Sequence, residues 1–203
     1  MKYIFDSHSH IQFPAYDGDR AAVIKRAQEA GVKMIAVGTQ TSTSEAGIKL
    51  AREYPEDIWA TVGYHPNHVV PAQHARNDAD SKSLEADKRG WFHDKNEQKE
   101  TEPERFDINR LRELAKDPKV AAIGECGLDY YRLGSRTDAD DMRTNAEKIK
   151  EIQKEVFLQQ AELAKELSKP LMIHCPPSKG TDDAYKDMLK FCQMSLAGQA
   201  KVK

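Results

Sequence analysis

Short apolar runs alternate with longer amphipathic stretches along most of the chain. The runs lie at about residues 3–8, 33–38, 58–63, 119–125 and 170–174. Because each run is short and bounded by polar residues, glycine or proline, we interpret all five as buried strands. A helical pattern follows each of them, and strands that are apolar along their whole length belong to parallel sheets covered by helices. The pattern therefore predicts an α/β fold with a parallel sheet.

Local sequence signals place the ends of several helices. Gly31 is suited to close the first helix, and Ser42 with Glu45 forms a capping-box pattern at the start of the second, which Pro55 ends. Asp107 is the predicted cap of the third. The predicted helices span Asp19 to Ala30, Ser42 to Tyr54, Asp107 to Ala115, Asn145 to Leu167, and a last segment from about Thr181.

One segment departs from this alternation. Residues 72–107 are densely charged and contain few apolar side chains beyond Leu84, Trp91, Phe92 and Phe106. Such a composition cannot bury much surface, so we interpret the segment as a flexible, solvated insertion after the third strand. A flap that grips a substrate is the alternative.

Composition narrows the class of protein. The 203 residues predict a single domain, residues 1–203, with 39% hydrophobic and 32% charged residues. No apolar run is long enough to cross a bilayer, and the N-terminus lacks a secretory signal, so a cytoplasmic protein without a membrane segment is expected. The three cysteines lack metal-binding spacing, and a net charge of −2 excludes bulk electrostatic attraction to a phosphate polymer.

Polar residues that carry chemistry follow the predicted strands at their carboxyl ends. His8 and His10 are two positions apart, so on a strand both imidazoles point to one face. His65 follows the third strand, Glu125 ends the fourth and His174 ends the fifth. In a parallel α/β barrel these ends meet at one rim, where active sites are built. The residues are therefore expected to lie together.

The residue types at this rim favour a metal site. The proposed ligands are His8, His10, Glu125 and His174, a set of nitrogen and oxygen donors that suits Zn²⁺ and Mn²⁺, and Mg²⁺ less well. Glu125 has two carboxylate oxygens and can therefore bridge two ions. A divalent metal is the expected cofactor, and hydrolysis by a metal-activated water is the expected chemistry.

Four motifs in order along residues 3–175 resemble the TatD-related metal-dependent hydrolases. They are Phe5-Asp6-Ser7-His8-Ser9-His10, Val62-Gly63-Tyr64-His65-Pro66, Ile123-Gly124-Glu125-Cys126-Gly127-Leu128-Asp129-Tyr130-Tyr131, and Pro170-Leu171-Met172-Ile173-His174-Cys175. The resemblance implies a TIM-type (β/α)8 barrel, divalent metal ions and hydrolysis of phosphodiester bonds in DNA, often as a 3′→5′ exonuclease. It also implies that His8 and His10 bind one metal, Glu125 is the catalytic bridging carboxylate, His174 binds the other metal, and His65 contacts the substrate phosphate.

The chain also departs from the family pattern. Pro176 stands where the family commonly has an arginine, and the insertion after the third strand is longer than usual. About five of eight β/α units are visible, and the family's further ligands belong to later strands. Alternatives to a DNase therefore remain, namely an inactive or merely metal-binding remnant, or another amidohydrolase-like barrel hydrolase. Strands one and five would be open edges, which favours self-association.

Overall fold

The computed structural model describes residues 3–69, 104–131, 133 and 139–199. Within these residues, strands and helices alternate as the apolar pattern predicts. The strands are β1 (Ile4–Ser9), β2 (Val32–Ala36), β3 (Ile58–Val62), β4 (Val120–Gly127) and β5 (Leu171–His174). The helices are α1 (Arg20–Glu29), α2 (Thr41–Glu53), α3 (Ile108–Ala115), α4 (Ala139–Glu166) and α5 (Asp183–Gln199), with short 3-10 turns at Pro14–Tyr16 and Pro66–His68.

The five strands form one sheet in the order β1-β2-β3-β4-β5, and every pair is parallel. This arrangement confirms the predicted parallel α/β fold. Among the described residues, each strand pairs with its neighbours in sequence, so β1 and β5 are the edges of the sheet. Because all strands run in the same direction, their carboxyl ends lie along one rim of the sheet.

One face of the sheet packs against the helices and forms the main hydrophobic core. The strand residues on this face alternate with residues that point the opposite way, as the pleat requires. The buried core residues from strands and helices include Ile24, Met34, Ala36, Ile48, Ile58, Ala60, Val62, Leu111, Val156 and Leu163. Burying one aliphatic side chain of this size contributes roughly 1.5–3 kcal/mol, so this layer supplies much of the stability of the fold.

The edge strand β1 is the most exposed strand. Ile4 keeps 65% of its surface accessible and Phe5 keeps 52%. The Phe5 ring lies 5.4 Å from the Trp59 ring, measured between centroids, on the face opposite the helices. Ile173 of the other edge strand, β5, is also 43% exposed. Apolar side chains are therefore exposed at both edges of the sheet.

The capping box predicted at Ser42 and Glu45, at the start of α2, is wrong. The helix begins one residue earlier, and the N-cap is Gln40, whose side chain forms a capping box with Thr43. Glu45 instead forms an ion pair with Arg110 of α3. The predicted cap of α3 is confirmed, because Asp107 accepts hydrogen bonds from the backbone of Asn109 and Arg110.

Two further sequence predictions concern the insertion and the membrane. The predicted insertion at residues 72–107 lies outside the described residues except for its last four, 104–107. Glu104, at its end, accepts hydrogen bonds from the backbone nitrogen of Ser42 at 3.1 and 3.2 Å. In the described ranges, no helix combines the length and the apolar character needed to span a bilayer.

Candidate metal centre

The structure brings together the residues that the sequence singled out. His8 lies in β1, and His10 is the first residue after that strand. Glu125 lies near the end of β4, and His174 is the last residue of β5. His65 lies in the loop after β3. The backbone nitrogen of Glu125 donates to the carbonyl of Gly38 at 2.8 Å, which fixes the carboxylate near the rim. The predicted clustering of these side chains at the carboxyl ends of the strands is confirmed.

The first group consists of His8, His10 and Glu125. Nε2 of His8 lies 3.3 Å from Oε2 of Glu125, and one ligand atom from each of the three residues lies within 4.8 Å of the others. Nδ1 of His10 is 3.1 Å from the carbonyl of Val37, which can only accept, so Nδ1 carries the proton and Nε2 the lone pair. Neutral imidazole with this tautomer is a good ligand for a divalent ion.

The second group consists of His65, Glu125 and His174, whose ligand atoms also lie within 4.8 Å of one another. Nδ1 of His174 is 2.9 Å from Oε1 of Glu125. The two oxygens of Glu125 therefore face different histidines, with Oε2 toward His8 and Oε1 toward His174. The nitrogen and oxygen donors of the two groups are of the types that bind Zn²⁺ or Mn²⁺.

His65 differs from the other histidines in its hydrogen bonds. Its Nδ1 accepts a hydrogen bond from the backbone nitrogen of Asn67 at 3.2 Å, so in the neutral ring Nε2 carries the proton. Nε2 lies 3.9 Å from Oε1 of Glu125. Burial lowers the pKa of His65 well below its usual value, which keeps the ring neutral. In this tautomer Nε2 of His65 is a hydrogen-bond donor that points toward Glu125, so of the second group Glu125 and His174 are the better candidate ligands.

The charges in the centre are strongly coupled. Burial alone would raise the pKa of Glu125, but hydrogen bonds from His174 and His8 outweigh it and hold that pKa well below its ordinary value. The hydrogen bond to Glu125 in turn raises the pKa of His8. Burial would lower the pKa of His174, whereas hydrogen bonds to Asp129 and Glu125 raise it to about 8. Glu125 is therefore an ionised carboxylate held between His8 and His174.

The pKa of His174 predicts a pH dependence of stability in the metal-free protein. Its folded-state value of about 8 exceeds the ordinary 6.5, so the bound proton stabilises the folded state fully below pH 6.5 and this contribution is lost as pH rises through 8. We expect the free energy of unfolding to fall by up to about 2 kcal/mol across that window. Urea unfolding at several pH values in the presence of a chelator measures it.

Asp129→Asn is the control for this dependence, because it keeps the side-chain shape and removes one of the two carboxylates that hold the proton. It is expected to flatten the decline between pH 6.5 and 8. His65 acts in the opposite direction, since its lowered pKa costs stability only below pH 6.5. A wild-type protein with the same stability throughout the window would contradict the prediction.

Several polar residues lie behind the centre, and no sequence motif pointed to the two glutamines among them. Asp129 is fully buried, and its Oδ2 lies 3.2 Å from Nε2 of His174 and 3.1 Å from the Asn67 amide nitrogen that donates to it. Two buried glutamines of α4, Gln153 and Gln160, bond to the loops after β3 and β4. The signal in the sequence was their position on the otherwise apolar face of α4. Asp6 bonds to the backbone nitrogen of His8 at 3.1 Å.

Comparison with known proteins gives relatives along nearly the whole chain. The family model described as TatD-related DNase matches residues 5–202. A protein of Erwinia tasmaniensis named 3′-5′ ssDNA/RNA exonuclease TatD is 33% identical over 173 residues, which are 85% of this chain and 50% of that protein. The Bacillus subtilis uncharacterized metal-dependent hydrolase YabD is 30% identical over 172 residues, 84% of this chain and 50% of that protein. The chain thus spans about half the length of these curated relatives.

Solved structures show the same fold. The Escherichia coli TatD homologue YJJV aligns with a TM-score of 0.56 at 24% identity, over 93% of this chain and 56% of that one. A TatD family hydrolase from Entamoeba histolytica aligns with a TM-score of 0.59 at 19% identity, over 95% and 55% of the two chains. The predicted fold class is confirmed, because the five parallel strands form a curled part of the TIM-type α/β barrel of these hydrolases. With the family model matched from residue 5 to residue 202, the chain belongs to the TatD-related DNase family.

Proposed function

We propose that the protein hydrolyses phosphodiester bonds in DNA with the help of two divalent metal ions, acting as a 3′→5′ exonuclease on single strands. The observation that carries this proposal is the position of Glu125, whose two oxygens face His8 and His174 separately at 3.3 and 2.9 Å. Family membership and the names of the relatives support the reaction class. The activities in those names belong to the relatives, and for this chain they are part of the proposal.

Each residue of the centre has a role in this proposal. His8 and His10 would hold one ion, His174 would hold the other, and Glu125 would be a ligand shared by the two. When bound, the ions supply a water that loses its proton near neutral pH and stabilise negative charge on the phosphate oxygens. His65 would donate a hydrogen bond from Nε2 to a non-bridging phosphate oxygen, a role that its tautomer supports. Asp129 holds His174 in place through Nε2.

Net charge and thiol chemistry bear on the proposed substrate contact and location. With a net charge of −2, the protein has no general attraction for polyanions, so DNA would be held by local contacts at the rim. Cys126, Cys175 and Cys192 are free thiols, which is consistent with the proposed cytoplasmic location.

A labelled oligonucleotide tests the proposal. Single-stranded DNA carrying a 5′ label is incubated with the protein and Mn²⁺, Mg²⁺ or Zn²⁺, and products are resolved by length. We expect stepwise shortening from the 3′ end that stops when a chelator is added and resumes when metal is restored. The same oligonucleotide with a blocked 3′ end is the matched control and should remain intact.

The outcomes separate the alternatives. Cleavage that continues in the presence of the chelator would contradict the metal mechanism. Metal binding without cleavage of any phosphodiester would favour a metal-binding protein without turnover. Hydrolysis of a small amide or phosphate monoester, with DNA left intact, would favour another type of barrel hydrolase.

A further inference from the structure

The helix α4 carries two glutamines in the interior of the protein. Gln153 and Gln160 are two turns apart and therefore project from the same side of the helix. They are 1% and 0% exposed, on a side that also carries the core residues Val156 and Leu163. A buried amide without partners costs stability relative to an apolar side chain. The partners of these two amides therefore indicate why polar residues occupy core positions.

Both amides bond to backbone in the loops that carry the metal centre. Gln160 accepts from the nitrogen of Tyr64 at 2.8 Å and donates to the carbonyl of Tyr64 at 3.1 Å. Gln153 accepts from the nitrogen of Asp129 at 2.9 Å and donates to the carbonyls of Pro66 and Asp129 at 3.3 and 3.4 Å. Gln153 thus joins the loop after β3 to the loop after β4, whereas Gln160 holds the first of these loops.

The two loops joined by Gln153 position the histidines on one side of the centre. Asp129 lies 3.2 Å from Nε2 of His174, and its Oδ2 also accepts from the side chain of Asn67 at 3.1 Å. The backbone of Asn67 donates to Nδ1 of His65. Gln153 therefore acts behind both His174 and His65, through Asp129 on one branch and through the turn at Pro66 on the other.

We propose that Gln153 is a positioning residue of the metal centre, an inference that rests on the proposed function. Its amide sets the distance between the two loops and so the orientation of His174 toward Glu125. An acceptor and a donor on one planar group are needed to bond the Asp129 nitrogen and the Pro66 carbonyl together. Methionine matches glutamine in length and offers neither hydrogen bond, so it removes the connection with little change in volume.

Titration calorimetry with Mn²⁺ on the purified protein tests this role together with DNA cleavage kinetics. Gln153→Met is expected to weaken Mn²⁺ binding about 10-fold or more and to lower kcat about 10- to 100-fold, with KM changed by less than about 2-fold. Gln153→Glu keeps the acceptor for the Asp129 nitrogen but loses the donor to the Pro66 carbonyl, so it is also expected to weaken Mn²⁺ binding and lower kcat. If Gln153→Met does not fold, the Gln153→Glu variant is judged by the same criteria.

Val156→Ala is the matched control, because Val156 is 1% exposed on the same side of α4, belongs to the hydrophobic core and has no polar group that could bond to the loops. It should lower stability in urea unfolding while leaving Mn²⁺ affinity and kcat unchanged. Wild-type Mn²⁺ affinity in a folded Gln153 variant, or equal losses in Val156→Ala, would overturn the proposal. A wild-type protein that binds Mn²⁺ without cleaving DNA would contradict the proposed function alone, since the Mn²⁺ titrations would still decide the role of Gln153.

Discussion

Replacing Glu125 with alanine is expected to lower metal-dependent DNA cleavage by at least about 1,000-fold, because the change removes the carboxylate that faces both sides of the centre. His8 and His174 would lose their common partner, which now lies 3.3 and 2.9 Å away. Metal affinity should fall together with activity. Cleavage of labelled single-stranded DNA and Mn²⁺ titration calorimetry, both on the wild type and the variant, measure the two effects.

The loss of cleavage in Glu125→Ala must come from the position of this carboxylate and not merely from the removal of one negative charge. Glu113→Ala is a suitable control, because Glu113 is an exposed carboxylate that pairs with Lys116 on α3 and lies outside the centre. It should retain wild-type cleavage and metal affinity. Glu125→Gln keeps the shape and loses the charge, so it is expected to resemble Glu125→Ala. Cleavage at the wild-type rate by either Glu125 variant would exclude the mechanism proposed above.

The protein is expected to self-associate through the edges of its sheet. The edge strands β1 and β5 each pair on one side only among the described residues, and they expose Ile4, Phe5 and Ile173. Unpaired strand edges with apolar side chains are templates for pairing with another chain. Size-exclusion chromatography with light scattering over a range of protein concentrations measures the association.

A charged side chain introduced on the edge strand β1 tests whether this edge causes the self-association. Ile4→Lys places a cation at the 65% exposed position on β1 and is expected to shift the protein toward the monomer. Leu158→Lys, at a 43% exposed apolar position on α4, is the matched control and should leave association unchanged. A wild-type protein that stays monomeric at every concentration would contradict the prediction.

Local patterns predicted the strands and the clustering of the centre well, for a physical reason. Each strand is a compact apolar run, and the parallel order places every carboxyl end on one rim, so the positions of His8, Glu125 and His174 in their runs were enough to bring them together. The cap of α3 was also predictable, because Asp107 bonds to residues two and three positions away.

Features that depend on distant partners could not be predicted in this way. The Ser42 and Glu45 pattern had the form of a capping box, but Glu45 pairs with Arg110, and the backbone of Ser42 donates to Glu104. The roles of Gln153 and Gln160 depend on loops far along the chain. Two glutamines on an apolar helix face are unusual, but only the fold shows which backbone groups their amides bond to.

The order of the strands also has a consequence for how the protein folds. Because every described strand pairs with its neighbour in sequence, the sheet can grow by one β/α unit at a time as the chain leaves the ribosome. His8 and His10 emerge first, whereas Glu125 and His174 arrive only with β4 and β5. The first group of candidate ligands is therefore assembled only when β4 has docked beside the earlier strands, and the second only when β5 has docked. Metal binding at either group is for this reason a late step in the folding of the described strands.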